Sequence, residues 1–202
     1  MALSAQDKIL YVANKLGLSS LNQMQGSTGA VYDVDTDLSG QIFTSASRHQ
    51  NPSVTNLTQN EFEVNEALLV ENIAFYSTEN GIVRNLVESY GSESVIVYDF
   101  IIGNKRVMKS TPVFGSGSPY TFANVAQTSI NNGATTQSTI YSPRHQTFME
   151  GAGVLIPPQV QWSVEYRIFN VVTGATIAPN EDNPIGCYLF GTRVLLNFNT
   201  SI

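Results

Sequence analysis

The feature that most constrains the fold is a strict alternation of apolar and polar side chains late in the chain. Residues 153–169 read GVLIPPQVQWSVEYRIF. After the two prolines, every second residue is apolar, and the residues between them are Gln, Ser, Glu and Arg. A period of two residues predicts a β-strand with one buried face, which must lie against a second sheet. That face consists of Val160, Trp162, Val164, Tyr166 and Ile168.

Earlier segments predict further strands. Residues 30–34, 40–45, 60–64 and 67–76 are rich in β-branched or aromatic residues, and Asp, Ser, Gly, Asn and Pro separate them. In the longest segment, alternation predicts two distinct faces. One face holds Leu69, Glu71, Ile73 and Phe75, and the other holds Leu68, Val70, Ala74 and Tyr76.

A hairpin and a closing strand complete the predicted sheets. Residues 94–108 read SVIVYDFIIGNKRVM, in which Gly103-Asn104 supplies the positive φ angles that a two-residue turn needs. The closing strand is predicted over 185–198, with Gly191 marking a bulge or a close approach of another strand. One face of this strand consists of Tyr188, Phe190, Val194, Leu196 and Phe198.

The chain begins with a predicted helix. Ser4 is a candidate N-cap with Asp7 three residues on, and Gly17 is the expected stop. Its apolar stripe needs a partner surface, which is either this chain's own domain or another subunit. The stripe consists of Ile9, Leu10, Ala13 and Leu16.

A long excursion, residues 111–135, separates the hairpin from the alternating strand. We expect a loop over PVFGSGSPY and then a short helix over TFANVAQTSI, because NNG at 131–133 is a typical helix end. Long connections of this kind often carry binding surfaces. The pattern predicts an all-β fold, a jelly-roll β-sandwich of about eight strands with an N-terminal helix and a short helical insertion. We divide the chain into an N-terminal helix and arm, 1–29, and a jelly-roll domain, 30–202.

Composition limits the classes of function. Charged residues make up 13% of the 202 residues, against about 25% in typical soluble domains. The surface is therefore mostly neutral and polar, as expected where neighbouring copies cover it and equally in a secreted β-domain. The net charge of −6 argues against a protein that coats nucleic acid. We expect no transmembrane segment and no signal peptide, because no suitable apolar run occurs.

Alternating aspartates form the first candidate site. Asp33, Asp35 and Asp37 are spaced as at the start of an EF-hand calcium loop. That loop needs Gly at its sixth position and Glu at its twelfth, where this chain has Leu38 and Thr44. A calcium site of another type is one interpretation, and an acidic strand edge that discourages edge pairing is the other.

Aromatic residues in and after the long excursion form the second candidate site. Tyr120, Phe122 and Tyr141 could provide a ligand-binding platform on which sugar rings stack. Trp162 is instead expected in the core, because it belongs to the alternating apolar face.

No residue cluster predicts a reaction. His49 and His145 have no neighbouring carboxylate to orient them, and we interpret both as loop surface or satisfied core. Cys187, the only cysteine, lies in an apolar strand and is expected to be inert. The sequence contains no nucleophile elbow, P-loop or zinc-protease motif. We therefore expect no cofactor and no enzymatic activity.

The order of these segments resembles that of jelly-roll structural proteins of bacteriophage particles. The resemblance covers about residues 62–198 and is carried by LLVENIAFYSTENG, SVIVYDFIIGN, GVLIPPQVQWSVEYRI and CYLFGTRVLLN. It implies a virion protein that assembles with copies of itself and with other virion proteins, without direct nucleic-acid binding. The N-terminal helix departs from the plain barrel and would suit an arm that contacts a neighbour, the membrane or the capsid interior.

A binding module is the alternative interpretation, because one fold serves many functions. A jelly roll of this size could bind carbohydrate or a cell-surface receptor, as a vertex spike or a fibre head would. Tyr120 and Tyr141 are then the side chains expected to matter most.

Overall fold

The computed structural model describes residues 4–18, 24–44, 54–79, 82–84, 89–91, 93–113, 121–131, 134–142, 146–147 and 153–196. These residues form one helix and thirteen strands. The first half of the chain holds α1 (Ala5–Leu16), β1 (Gln25–Val34), β2 (Gln41–Ile42), β3 (Glu66–Glu79), β4 (Ile82–Arg84) and β5 (Ser94–Ile102). The second half holds β6 (Lys105–Val113), β7 (Thr121–Asn131), β8 (Ala134–Ser142), β9 (Gln146–Thr147), β10 (Val154–Ile156), β11 (Trp162–Asn170), β12 (Thr176–Ile177) and β13 (Ile185–Leu195).

Two antiparallel sheets make up most of the described residues. Sheet A has the strand order β1-β13-β3-β10, with β4 and β9 also paired to β3. Sheet B has the order β12-β11-β5-β6, with β2 also paired to β11. β7 and β8 pair with each other in a separate two-stranded sheet. The prediction of an all-β fold is therefore confirmed.

The inner faces of sheets A and B share one hydrophobic core. Sheet A contributes Phe75 and Leu189, and sheet B contributes Tyr98 and Trp162. The rings of Phe75 and Tyr98 meet across the two sheets with their centroids 5.1 Å apart. Burial of each such side chain stabilises the fold by about 1.5–3 kcal/mol. Two sheets held together by one core in this way are the arrangement expected of a β-sandwich.

Strand β11 confirms the alternation predicted from its sequence. Its fully buried residues are Trp162, Val164, Tyr166 and Ile168. The residues between them are half-buried or exposed. β5 runs antiparallel to β11 along its whole length, with Ile102 opposite the first residue of β11 and Ser94 opposite the last. The apolar face of β11 therefore anchors sheet B to the core.

A β-bulge in β3 changes which of its residues face the core. The register between β3 and β13 shifts between Phe190 and Gly191, and Glu71 is the extra residue on β3. The core-facing residues of β3 are Leu68, Val70, Ile73 and Phe75, whereas Ala67 and Leu69 belong to a second cluster under the helix. The predicted grouping of Leu69 with Ile73 and Phe75 is therefore wrong, because a strict period of two does not allow for an inserted residue.

Gly191 occupies the close approach predicted for it. A Cβ atom at this position would lie 1.8 Å from the carbonyl oxygen of Leu69. Only glycine lets β13 pass the bulge at this distance, so Gly191 and the bulge form one structural feature.

Helix α1 packs on the outer face of sheet A in the same chain. Of the two predicted partner surfaces, this chain's own domain or another subunit, the structure shows the first. Ser4 and Asp7 form the predicted capping box, and Gly17 ends the helix with a φ of 69°. Hydrogen bonds from the Ser4 side chain and backbone lower the pKa of Asp7. Val12 is fully buried against the sheet, whereas Leu10, a member of the predicted stripe, is 43% exposed. The next element, β1, begins before residue 30, the predicted start of the sheet domain.

The predicted helical insertion is wrong. The segment TFANVAQTSI lies in β7, which pairs with β8 from Thr121 opposite Ser142 to Asn131 opposite Ala134. Two residues, Asn132-Gly133, separate these strands in the sequence. Asn-Gly between β-branched segments favours a tight hairpin over a helix end, and this signal should have decided the prediction.

Candidate functional site

The predicted aspartates do not converge on one point. The Asp33 carboxylate accepts a hydrogen bond of 2.7 Å from the backbone N–H of Phe43. Asp35 is fully buried, whereas Asp37 is exposed. Within the described residues, no group of three or more His, Cys, Asp or Glu side chains could hold a metal ion. The calcium interpretation therefore has no support from this geometry, and neither does an exposed acidic edge at Asp33 and Asp35.

Asp35 instead connects the end of β1 to sheet B. One carboxylate oxygen accepts hydrogen bonds from the backbone N–H and the hydroxyl of Ser39, at 3.1 and 3.2 Å. The other oxygen accepts from the backbone N–H of Gly40 at 2.7 Å and from the Tyr166 hydroxyl at 2.9 Å. A buried carboxylate with several donors stabilises one fixed conformation of the loop around it. The loop from 35 to 40 is therefore a rigid corner between the two sheets.

The same corner holds Phe43 in an uncommon backbone conformation. Its φ of 64° lies in the left-handed region, which is costly for a bulky residue. The hydrogen bond from its N–H to Asp33 offsets part of that cost. The Phe43 ring lies 4.5 Å from the Trp162 ring, so the strained residue completes the core.

Two of the three residues of the predicted aromatic platform lie in the β7–β8 pair, for which the structure gives the strand register. Phe122 and Tyr141 are directly opposite each other in the β7–β8 pair. Tyr120 lies outside the described residues, as do His49 and His145. Trp162 is 1% exposed and packs against aromatic rings of the core, which confirms the prediction for it.

The outer face of sheet A carries a group of aromatic residues from two strands. Tyr188 and Phe190 share the face predicted for the closing strand, and Tyr32 joins them from β1. The rings of Tyr32 and Tyr188 are stacked, with centroids 6.0 Å apart and planes 5° apart. Tyr188 also contacts Phe190, at 4.2 Å between ring centroids. We call Tyr32, Tyr188 and Phe190 the outer aromatic cluster, and each of them is half-buried. Cross-strand pairing joins Tyr32 to Tyr188, and sequence alone does not reveal that register.

A polar network lies next to this cluster and fixes helix α1. The Lys8 ammonium donates to one carboxylate oxygen of Glu71 at 2.7 Å, and the Thr192 hydroxyl donates to the other at 2.7 Å. Glu71 is the residue of β3 left unpaired at the bulge, and it lies on the outer face of sheet A, two residues after Leu69 on the same face. The bulge, the ion pair and the helix are therefore coupled.

A polar cleft lies at the end of sheet A where β13 finishes. Its volume is about 120 Å³, and its lining includes Glu61, Glu63, Glu66 and Arg193. The Arg193 Nε lies 2.6 Å from a carboxylate oxygen of Glu66. The described lining of the cleft also includes the Thr58 hydroxyl, whereas His, Cys and Ser are absent from that lining.

Asn56 covers the free edge of β1 beside the cleft. Its side-chain amide donates to the carbonyl oxygen of Ala30 and accepts from the N–H of Tyr32, both at 2.9 Å. An amide side chain thus takes the place of a neighbouring strand, which protects an otherwise open sheet edge.

Cys187 is fully buried between the two sheets, as predicted. Burial, and then the nearby Asp33 carboxylate, raise the pKa of the thiol well above its usual value. The thiol therefore keeps its proton at neutral pH, and a protonated thiol is a poor nucleophile.

Comparisons with family models, curated proteins and solved structures found no match to this chain.

Among the described residues, no helix is long and apolar enough to cross a membrane.

Proposed function

We propose that sheets A and B form a jelly roll. The eight strands concerned are, in chain order, β1, β2, β3, β5, β6, β10, β11 and β13. The first of these pairs with the eighth, the second with the seventh, the third with the sixth and the fourth with the fifth. This is the pairing of one long antiparallel ribbon. The contacts β13 to β3 and β11 to β5 then join the ribbon into two sheets, as expected of a jelly roll.

The chain then acts as a structural subunit of a virus particle, of the bacteriophage type, and resides in the virion. The ribbon pairing is the observation that carries this proposal, because jelly rolls are a common design of capsid proteins. Its partners are copies of itself and other virion proteins. Direct binding to nucleic acid is not expected of a chain with a net charge of −6.

The mechanism is assembly without chemistry. Corners such as the one around Asp35 make the sandwich rigid, so its surface contacts keep a constant geometry. Only 13% of the residues are charged, and neutral polar groups are buried in an interface at less desolvation cost than ions. A rigid subunit with such a surface suits closed, symmetric association.

Native mass spectrometry and negative-stain electron microscopy of the purified chain test this proposal. We expect discrete oligomers of one or a few stoichiometries as the concentration increases. A strictly monomeric chain at high concentration would overturn the proposal. Irregular aggregates without defined stoichiometry would overturn it equally.

A carbohydrate- or receptor-binding module is the second candidate function. The observation that favours it is the separate β7–β8 pair, in which Phe122 and Tyr141 are opposite each other. Glycan-array binding that is lost in Phe122→Ala and Tyr141→Ala would support it. Phe169→Ala, in sheet B, is the matched aromatic control and should bind like the unmodified chain. An array without any bound glycan would count against this function.

A further inference from the structure

Two separate surfaces of the described chain carry opposite charges, and both present exposed valines. The first lies at the loops that follow β11 and precede β13. It consists of Glu93, Val171, Val172, Glu181 and Asp182, and we call it the acidic loop patch.

Hydrogen bonds hold this patch in one shape. The N–H of Val171 donates to the carbonyl oxygen of Glu93 at 2.8 Å. The Asn170 side chain accepts from the N–H of Val172 at 2.9 Å, which fixes the turn after β11. The Asn180 side chain accepts from the N–H of Asp182 at 2.7 Å, which fixes the second loop.

Tyr90 joins the neighbouring segments of the patch. Its hydroxyl donates to the carbonyl oxygen of Asn183 at 2.5 Å, so the segment before β5 and the loop before β13 are connected. The acidic loop patch is therefore a preformed surface, which loses little conformational entropy when it binds.

The valines of the patch are unusual for a turn. Val171 is 57% exposed and Val172 is 70% exposed. Turns ordinarily carry Gly, Asn, Asp, Ser or Pro, because these residues suit turn backbones. Two adjacent exposed apolar side chains, on connected loops that also carry exposed Glu and Asp residues, are the composition of a small binding surface with a polar rim.

The second surface is on β6, the last strand in the order of sheet B. It runs along this strand, where the pairing with β5 shifts register twice, and consists of the exposed residues Lys105, Arg106, Val107 and Lys109; we call it the basic strand patch. Val107 is 46% exposed. Arg106 already contacts the carboxylates of Asp99 and Glu165 in the same sheet. Within the described residues, Lys105 and Lys109 form no ion pair, so their charges are available.

We propose that the acidic loop patch of one copy docks on the basic strand patch of a second copy of this chain. The charges are complementary, and each patch offers exposed valine to the other. This inference rests on the proposed function and names the surfaces through which the subunit associates. Because the two patches are different surfaces, the contact is heterologous, and in the closed assembly proposed for this chain repeated contacts complete a ring.

Docking occurs through side chains and not through an added strand. Lysines on an edge strand oppose backbone pairing with another sheet. The contact therefore depends on charge, and added salt weakens it.

Paired charge reversals test the proposal. The variants are Lys105→Glu with Lys109→Glu, and Glu181→Lys with Asp182→Lys, each followed by sedimentation velocity in low salt. We expect each double variant alone to weaken self-association at least about tenfold, because like charges then face each other. In an equimolar mixture of the two variants, the strand patch that is now acidic faces the loop patch that is now basic. The charges are then complementary again, and association should be restored.

Controls and outcomes distinguish this inference from the proposed function. Lys15→Glu reverses an exposed charge on helix α1 and should associate like the unmodified chain. Circular dichroism confirms that each variant is folded. If the unmodified chain forms oligomers and both double variants associate equally well, or the mixture fails to restore association, the patch contact is wrong and the proposed function stands. If the unmodified chain is monomeric, the proposed function and the patch contact both fail.

Discussion

The hydrogen bond between Tyr166 and Asp35 gives the sharpest stability prediction. The Tyr166 hydroxyl is buried and donates to the Asp35 carboxylate at 2.9 Å, so that sheet B is connected to the end of β1. Tyr166→Phe removes this donor and keeps the ring. A hydrogen bond to a charged group contributes about 1.5–3 kcal/mol, so we expect the free energy of unfolding to fall by about 2 kcal/mol.

Tyr98→Phe is the matched control. Tyr98 is also buried on the inner face of sheet B, but its hydroxyl donates to the Met108 thioether at 3.6 Å. Because a thioether is a weak acceptor, we expect a loss below about 1 kcal/mol. Urea unfolding at pH 7, followed by tryptophan fluorescence of Trp162, measures both variants.

A double-mutant cycle completes this test. Tyr166→Phe combined with Asp35→Ala should cost less than the sum of the two single changes, because each change removes the same hydrogen bond. Equal losses for Tyr166→Phe and Tyr98→Phe, or strictly additive losses in the cycle, would refute the role given to this corner.

Three further predictions concern the bulge, the helix and the buried thiol. Gly191→Ala should cost about 3 kcal/mol in urea unfolding, because its methyl group would overlap the carbonyl oxygen of Leu69; a loss under about 1 kcal/mol would contradict the close approach. Lys8→Met removes the ion pair with Glu71 and should lower the free energy of unfolding by about 1 kcal/mol or less, with hydrogen exchange in α1 faster than in the unmodified chain and exchange in the sheets unchanged. Unchanged exchange in α1 would argue against the role of this ion pair in fixing the helix. Cys187 should not react with a thiol reagent at pH 8 until the protein unfolds, and rapid reaction of the folded protein would contradict its burial. Burial raises the pKa of the Cys187 thiol in the folded protein, so the unfolded chain loses the thiol proton at a lower pH than the folded protein does. The free energy of unfolding should therefore fall as pH rises above about 8.5.

Elements that depend on local periodicity were predictable from sequence. The alternation in β11 and the capping residues Ser4 and Gly17 are local signals, and the structure confirms them. The hairpin turn at Gly103-Asn104 belongs to the same class, since Ile102 and Lys105 are direct partners across it, but of the two turn residues only Gly103 has the predicted positive φ. Neighbouring residues decide all three features, so no tertiary contact was needed to find them.

Features that depend on pairing between distant strands were not predictable. The bulge at Glu71 exists because β13 passes at Gly191, and only that pairing shows that the alternation changes phase in β3. The spacing of the aspartates predicted a metal site because spacing can be read from the sequence. The hydrogen bond that the Asp35 carboxylate accepts from Tyr166 could not be read in this way, because the two residues are distant in sequence.

The helical insertion predicted at 121–130 is wrong for a different reason. Residues that favour strands are frequent in β7, and the Asn-Gly that follows them is typical of a helix end as well as of a hairpin turn. β8 supplies the partner that turns this segment into half of a hairpin. Polar strands without a clear apolar face give little periodic signal, so their type depends on the partner strand.

Sedimentation velocity of the unmodified chain over a wide concentration range tests the central claim most directly. A jelly-roll subunit built for a particle should change from monomer to one defined larger species, with a boundary that shifts to lower mass in high salt. A single monomer boundary at every concentration and salt condition would contradict the account.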